Sequence, residues 1–194
     1  MTPGRDGPAP PARRTSLAAA ACLAAALCFP AAAGGPVEEP LGYRMDHYRA
    51  PVPGTLEDAT VVDTRAAHAL WQAGEAVFVD VLPRAPKPAN LPEGTIWRET
   101  PRRSIPGAIW LPNVGYGAIA PETDAYFRAG LEAAGATPET PVVFFCLADC
   151  WMSWNAARRA MWDYGFEHVH WFPGGTDTWA EAGHPLETVE RFAR

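Results

Sequence analysis

The sequence predicts an α/β domain in which helices cover both faces of a parallel sheet. Three observations carry that prediction. Short apolar runs alternate with helical patterns along the chain, and such alternation folds as parallel strands joined by right-handed crossovers. Ala76-Val-Phe-Val-Asp-Val-Leu82 is an almost unbroken apolar run, as a strand covered on both faces requires. Pro141-Val-Val-Phe-Phe-Cys146 is a second such run, and a helical pattern follows it closely. Cys146 ends this run and Cys150 lies just beyond it. Ligands of open α/β sheets bind at the C-terminal ends of strands, so this junction is the candidate site.

The 194 residues suffice for one domain and a targeting segment. With 48% hydrophobic and 20% charged residues, the chain is built to bury a core. Its 21 prolines and 17 glycines predict long irregular connections. The eight tryptophans all follow residue 70 and are expected mainly in the core, a recognition surface being the alternative for some.

Residues 1–33 read as a signal peptide. Arg5, Arg13 and Arg14 form a positive start, and Leu17 to Phe29 is an Ala/Leu-rich run short of the ~20 residues that span a bilayer. Ala31-Ala32-Ala33 before Gly34 suits cleavage. A retained membrane anchor is the alternative. The composition looks bacterial, so the expected destination is the periplasm, with no membrane attachment after removal. Cleavage would remove Cys22 and Cys28, leaving Cys146 and Cys150 as the cysteines of the mature chain. It would also make the chain more acidic than its full-length net charge of −6, which argues against nucleic acid as a partner.

Residues 34–55 are expected to be an extended arm that wraps the surface of a domain over residues 56–190. In it, Pro51, Pro53 and Gly54 interrupt regular structure, and His47 reads as a surface group. Ala59 to Asp63 is a short strand pattern. Thr64 can cap a helix with Ala66, Ala67, Leu70 and Trp71 on its apolar face, stopped by Gly74. The Ala76–Leu82 strand follows, with Asp80 near its end. A structural Asp80 bonding loop amides is weighed there against a catalytic one.

Pro83 to Pro106 is irregular, with Arg84, Lys87, Arg98, Arg102 and Arg103 among its prolines. A connection this long is either functional or a solvated insertion. A turn at Pro106-Gly107 leads into a strand from Ala108 to Leu111. Residues 122–135 read as a helix with Tyr126, Phe127, Leu131 and Ala134 on one face. After the cysteines, Met152 to Tyr164 reads as a helix with Trp154, Ala157, Met161 and Tyr164 in one stripe. Asn155, Arg158, Arg159 and Asp163 take its other side. His168 to Phe172 is the next strand, and Thr176 to Ala182 begins a last helix ended by Gly183 and Pro185.

The chemistry concentrates in Cys146-Leu147-Ala148-Asp149-Cys150-Trp151-Met152-Ser153. Cys146 at a strand end, ahead of a helix N-terminus, is expected to have a lowered pKa, with Asp149 opposing the thiolate. Asp80 and Arg84 are the candidate supporting groups. Three uses of the pair stay open: thiol–disulfide exchange with Cys146 attacking and Cys150 resolving, sulfur transfer through a Cys146 persulfide, and Cu(I) capture by two thiols. A permanent disulfide that pins the loop is the structural alternative. His168 and His170 are not expected to join a metal site, because their strand positions place them roughly 10 Å or more from the sulfurs.

Three stretches resemble the rhodanese-like domain superfamily: Phe78-Val-Asp-Val-Leu82, Ile105-Pro-Gly-Ala-Ile109 with Leu111-Pro112, and Gly165-Phe-Glu-His-Val with Gly174-Gly175, Trp179 and Gly183-His-Pro185. The resemblance implies a three-layer domain with five parallel strands, helices on both faces, and an active loop after the fourth strand. In that family the cysteine opening the loop, here Cys146, accepts sulfur. The loop departs from the family pattern, since Trp151 stands where a cation is expected. Cys146-Leu-Ala-Asp-Cys150-Trp151 is similar instead to a secreted subgroup, the CXXCW motif proteins associated with pyrroloquinoline quinone (PQQ)-dependent catabolism. Three residues here separate the cysteines where that motif has two. This narrower resemblance implies a redox or cofactor-handling role in PQQ-linked alcohol oxidation. The implied partner is a periplasmic PQQ-dependent dehydrogenase, a cytochrome or a transport component. A docking module with a structural disulfide is the alternative.

Overall fold

The computed structural model describes Met1, residues 36–98 and residues 100–193. Apart from Met1, the expected signal segment lies outside the described residues, as do Cys22 and Cys28. Among the described residues no helix is long and apolar enough to cross a membrane.

Five strands form one parallel sheet: β1 (Thr60–Val61), β2 (Val77–Asp80), β4 (Ile109–Trp110), β5 (Val142–Phe145) and β6 (Val169–Phe172), in the order β1-β6-β5-β2-β4. The helices are α1 (Thr64–Ala73), α2 (Pro121–Ala133), α3 (Trp151–Trp162) and α4 (Gly175–Glu181). This is the sheet that the rhodanese-like resemblance implies, and β5, the fourth of its strands along the chain, runs into Cys146. β3 (Arg102–Ser104) and β7 (Glu187–Val189) form a separate antiparallel pair. Both lie in stretches without apolar alternation, and pairing between distant segments made them strands.

β5 shows why the sheet is buried on both sides. Val142 and Phe144 belong to the core shared with Phe127 and Leu131 of α2 and with Trp154 and Ala157 of α3. Val143 and Phe145 belong to the opposite core, with Ala67 of α1 and Trp179 of α4. All four strand residues are buried. Trp151, Trp154, Trp171 and Trp179 are fully buried, so most of the tryptophan surface serves packing, while Trp162 is half exposed.

Helix α1 is capped by Asp63, whose carboxylate accepts from the Ala66 N–H at 2.8 Å, and not by Thr64, which is its first residue. Gly74 closes it at φ 66°, a left-handed conformation that costs glycine little.

Helix α3 departs from the amphipathic expectation. Every residue from Trp151 to Ala160 is buried, including Asn155, Arg158 and Arg159. The arm and the loop over residues 114–117 cover its polar side. Asn155 accepts from the Arg44 N–H and donates to the Arg44 and Gly115 carbonyls, each at 2.9 Å. Arg159 donates to the carbonyls of Val114, Tyr116 and Gly117 at 2.8–3.0 Å. The Trp151 and Trp154 ring N–H groups donate to Pro51 and Thr55 carbonyls. These polar side chains satisfy the backbone of segments that form no secondary structure, which is how an irregular arm can be packed without orphaned carbonyls.

Candidate active site at the end of strand β5

Cys146 follows β5 directly, and Cys150 is the N-cap residue of α3. Both are free thiols, 0% and 2% exposed. The loop between them is held at each turn. The Cys146 carbonyl accepts from the Thr176 N–H at 2.9 Å and from the Thr176 hydroxyl at 3.3 Å. The Ala148 N–H donates to Asp177 at 3.1 Å, and the Ala148 carbonyl accepts from Arg49 at 2.8 Å. Asp149 is exposed and takes a positive φ of 50° at the loop tip. Ser153 donates to the Cys150 carbonyl at 3.2 Å and accepts from the Trp171 ring N–H at 3.1 Å. Gly175 lies so close that a Cβ there would sit 2.4 Å from the Cys146 carbonyl oxygen.

The electrostatics divide the two sulfurs. Burial pushes the Cys146 thiol well above its ordinary range, and its hydrogen bond and proximity to Cys150 push the same way. Its sulfur lies 3.5 Å from the Cys150 carbonyl and 3.7 Å from the Leu147 carbonyl. Cys150 is lowered to about 6, first by the hydrogen bond from Cys146 and then, against burial, by the N–H groups of Met152 and Leu147 and by Arg49. The expectation of a lowered pKa at Cys146 is therefore corrected. The amides near the helix N-terminus serve both sulfurs, Met152 and Leu147 lowering Cys150 and Ser153 lowering Cys146, but at Cys146 burial and the Cys150 neighbour outweigh them.

Cys150 and Met152 line a cavity of about 460 Å³, walled also by His47, Tyr48 and Arg49 of the arm, Leu82, Pro83 and Tyr116. A second cavity of about 650 Å³ lies on the other side of Leu82-Pro83, against Leu147, Thr176, Arg102 and Arg103.

Asp80 is buried among hydrogen-bond donors. Its carboxylate accepts from Arg102 at 2.6 Å, Ser104 at 2.5 Å and the Leu82 N–H at 2.9 Å. Burial pushes its carboxyl up, and Arg102 leads the groups that oppose the shift. Arg102 also reaches the Thr176 hydroxyl at 3.2 Å and the Cys146 carbonyl at 3.5 Å, linking β2 to the active loop. Arg84 lies at the rim of both the larger cavity and its neighbour, with its N–H donating to Asn113 at 3.2 Å. Trp151 is a core residue with Arg44 stacked over its ring at 5.1 Å.

Arg49, Arg102, Thr176 and Asp177 complete the site, and sequence reasoning did not single them out for it. Arg102 was visible only as one of several cations in an irregular stretch. Arg49 carried no signal at all.

Two adjacent thiols also suit Cu(I). His170 is in register with Val143, three residues before Cys146, so it stays about 10 Å from the loop along the strands. Among the described residues no group of three or more His, Cys, Asp or Glu gathers as a metal site.

No protein-family model and no curated protein matches the chain. Solved structures do. The chain is similar to a thiosulfate sulfurtransferase from Pseudomonas aeruginosa, at 22% identity and a TM-score of 0.45, over 69% of this chain and 21% of that one. It is similar to the polysulfide-sulfur transferase homodimer from Wolinella succinogenes, at 18% identity and a TM-score of 0.41, over 67% and 79%. The BH2092 protein from Bacillus halodurans matches at 19% identity and a TM-score of 0.44, over 70% and 85%. The chain thus spans about a fifth of the Pseudomonas protein and most of the other two.

Proposed function

We propose that this chain is an exported, rhodanese-like dithiol protein whose Cys150 attacks disulfides and whose Cys146 resolves them, in the service of periplasmic PQQ-linked alcohol oxidation. One observation carries the dithiol reading: Cys150 sits at the N-cap of α3 and lines a cavity, with the buried Cys146 sulfur 3.5 Å from its carbonyl oxygen. The Cys150 thiolate forms a bond to one sulfur of a disulfide, whose own S–S bond breaks and releases the second half as a thiolate. Cys146 then gives up its proton and bonds to Cys150, releasing the first half. The pair loses two electrons and the ligand disulfide gains them; the reverse sequence oxidises a dithiol. PQQ enters this proposal as the cofactor of a partner enzyme, on the resemblance of the Cys-Trp element.

The test is a redox titration of the purified chain in glutathione and dithiothreitol buffers, with both thiols followed by mass. A midpoint above about −300 mV supports exchange chemistry; a bond that stays oxidised below it is structural and defeats the proposal.

Sulfur transfer is the second reading, favoured by the position of Cys146 after the fourth sheet strand. It requires a persulfide mass increment on Cys146 after incubation with thiosulfate or polysulfide, lost in Cys146→Ser and kept in Cys150→Ser.

A further inference from the structure

The cavity beside Cys150 has a composition that points to a class of ligand. At about 460 Å³ it suits a small molecule, since such sites span roughly 300–1,000 Å³. Leu82, Pro83 and Met152 make it largely apolar, and the rings of Tyr48 and Tyr116 meet edge-on at 5.2 Å. Among the described residues no Asp or Glu lines it, whereas Arg49 does. Arg49 is fixed in two ways: its backbone bridges to Cys150, and one guanidinium nitrogen donates to the Ala148 carbonyl at 2.8 Å. The side chain also hydrogen-bonds the Cys150 sulfur, and being exposed it keeps the remaining donors of its five-donor fork for a ligand. Of the nearby acids, Asp46 pairs with Arg44 at 3.6 Å, and Asp149 stands outside the cavity lining.

We propose that this cavity selects low-molecular-weight disulfides bearing a carboxylate, and that Arg49 is the residue that recognises the carboxylate. The inference rests on the dithiol reading above. The atoms balance as in that exchange. As the Cys150 sulfur becomes part of a mixed disulfide it loses its charge, and Arg49, until then beside a thiolate, is left to hold the ligand's carboxylate.

The test uses two disulfides of similar length, dithiodipropionate, which ends in carboxylates, and cystamine, which ends in ammonium groups. Their rates are measured with the reduced full-length Cys146→Ser chain, which traps the mixed disulfide on Cys150 for mass spectrometry, and the Arg49 variants are made in that background. The ratio of the two rates is divided by the same ratio for β-mercaptoethanol, which removes their intrinsic difference. The expected preference for the carboxylate ligand is about fivefold, the worth of one partly exposed charge contact. It falls to unity in Arg49→Gln and is retained in Arg49→Lys. Any effect of Arg49→Gln on the Cys150 thiolate slows both ligands alike and cancels in the ratio. A ratio of unity with Arg49 in place, or one unchanged in Arg49→Gln, overturns the carboxylate inference and leaves the dithiol reading standing. Failure of both disulfides to react with Cys150 overturns the dithiol reading and this inference with it.

Discussion

Arg102 and Asp80 meet at 2.6 Å in the interior, and the same guanidinium reaches the carbonyl of Cys146. The carboxylate is 0% exposed and the arginine side chain 8%, so removing one partner strands the other. Arg102→Met is expected to cost about 3–5 kcal/mol, because Asp80 keeps a buried charge without its counterion. The Asp80→Asn/Arg102→Met double variant should lose less than the sum of the single losses. Urea denaturation of the four proteins in this cycle measures the coupling.

The thiol pair makes a pH prediction. The Cys150 pKa is lowered to about 6, so alkylation by iodoacetamide should rise with pH to half its maximum near 6. Cys146→Ala removes the hydrogen-bond donor and should move that midpoint up toward the ordinary thiol value of about 8.5. Stability follows the same shift. Because the folded-state pKa lies below the unfolded one, the stabilisation is full above about 8.5 and is lost as pH falls through about 6. Wild type should therefore lose stability over that window relative to Cys150→Ser, as chemical denaturation across pH would show.

Asn155 ties the arm to α3 through both backbone groups of Arg44. Asn155→Ala leaves a buried N–H and two carbonyls without this partner, at a cost of roughly 2–4 kcal/mol. The arm also walls the Cys150 cavity, so the variant should show faster cleavage near residue 45 in limited proteolysis and faster alkylation of Cys150. Faster proteolysis with unchanged alkylation would separate the arm from control of the thiol.

Gly175 has φ 51° and touches the Cys146 carbonyl. Gly175→Ala forces either a strained backbone or a displaced active loop, and should destabilise by about 2 kcal/mol or more. The Cys150 alkylation midpoint should move in the same variant, because the loop amides that hold the thiolate move with Cys146. A stable variant with an unchanged midpoint would show that the contact has no part in positioning the loop.

Much of this fold was legible in the sequence. The nearly continuous apolar runs at Ala76–Leu82 and Pro141–Cys146 meant strands buried on both faces, and the packing on either side of β5 bears that out. The antiparallel pair β3–β7 was not legible, since three-residue strands such as Arg102–Ser104 have no period to read. The polar side of α3 looked solvent-facing because periodicity reports residue type alone. Asn155 and Arg159 are buried because irregular segments around Arg44 and Val114 offer them carbonyls.

The sequence by itself determined the parallel sheet and the place of the cysteine pair at a strand-to-helix junction, because hydrophobic periodicity and chain order are local properties. Only the tertiary structure decided which of the two thiols is the more acidic. Burial raises Cys146, while the Cys146 thiol, the Met152 and Leu147 amides and Arg49 lower Cys150. Arg49 reaches the loop across 99 positions of chain at Ala148. A pKa depends on solvation and on neighbours in space, and no spacing of residues along the chain specifies either.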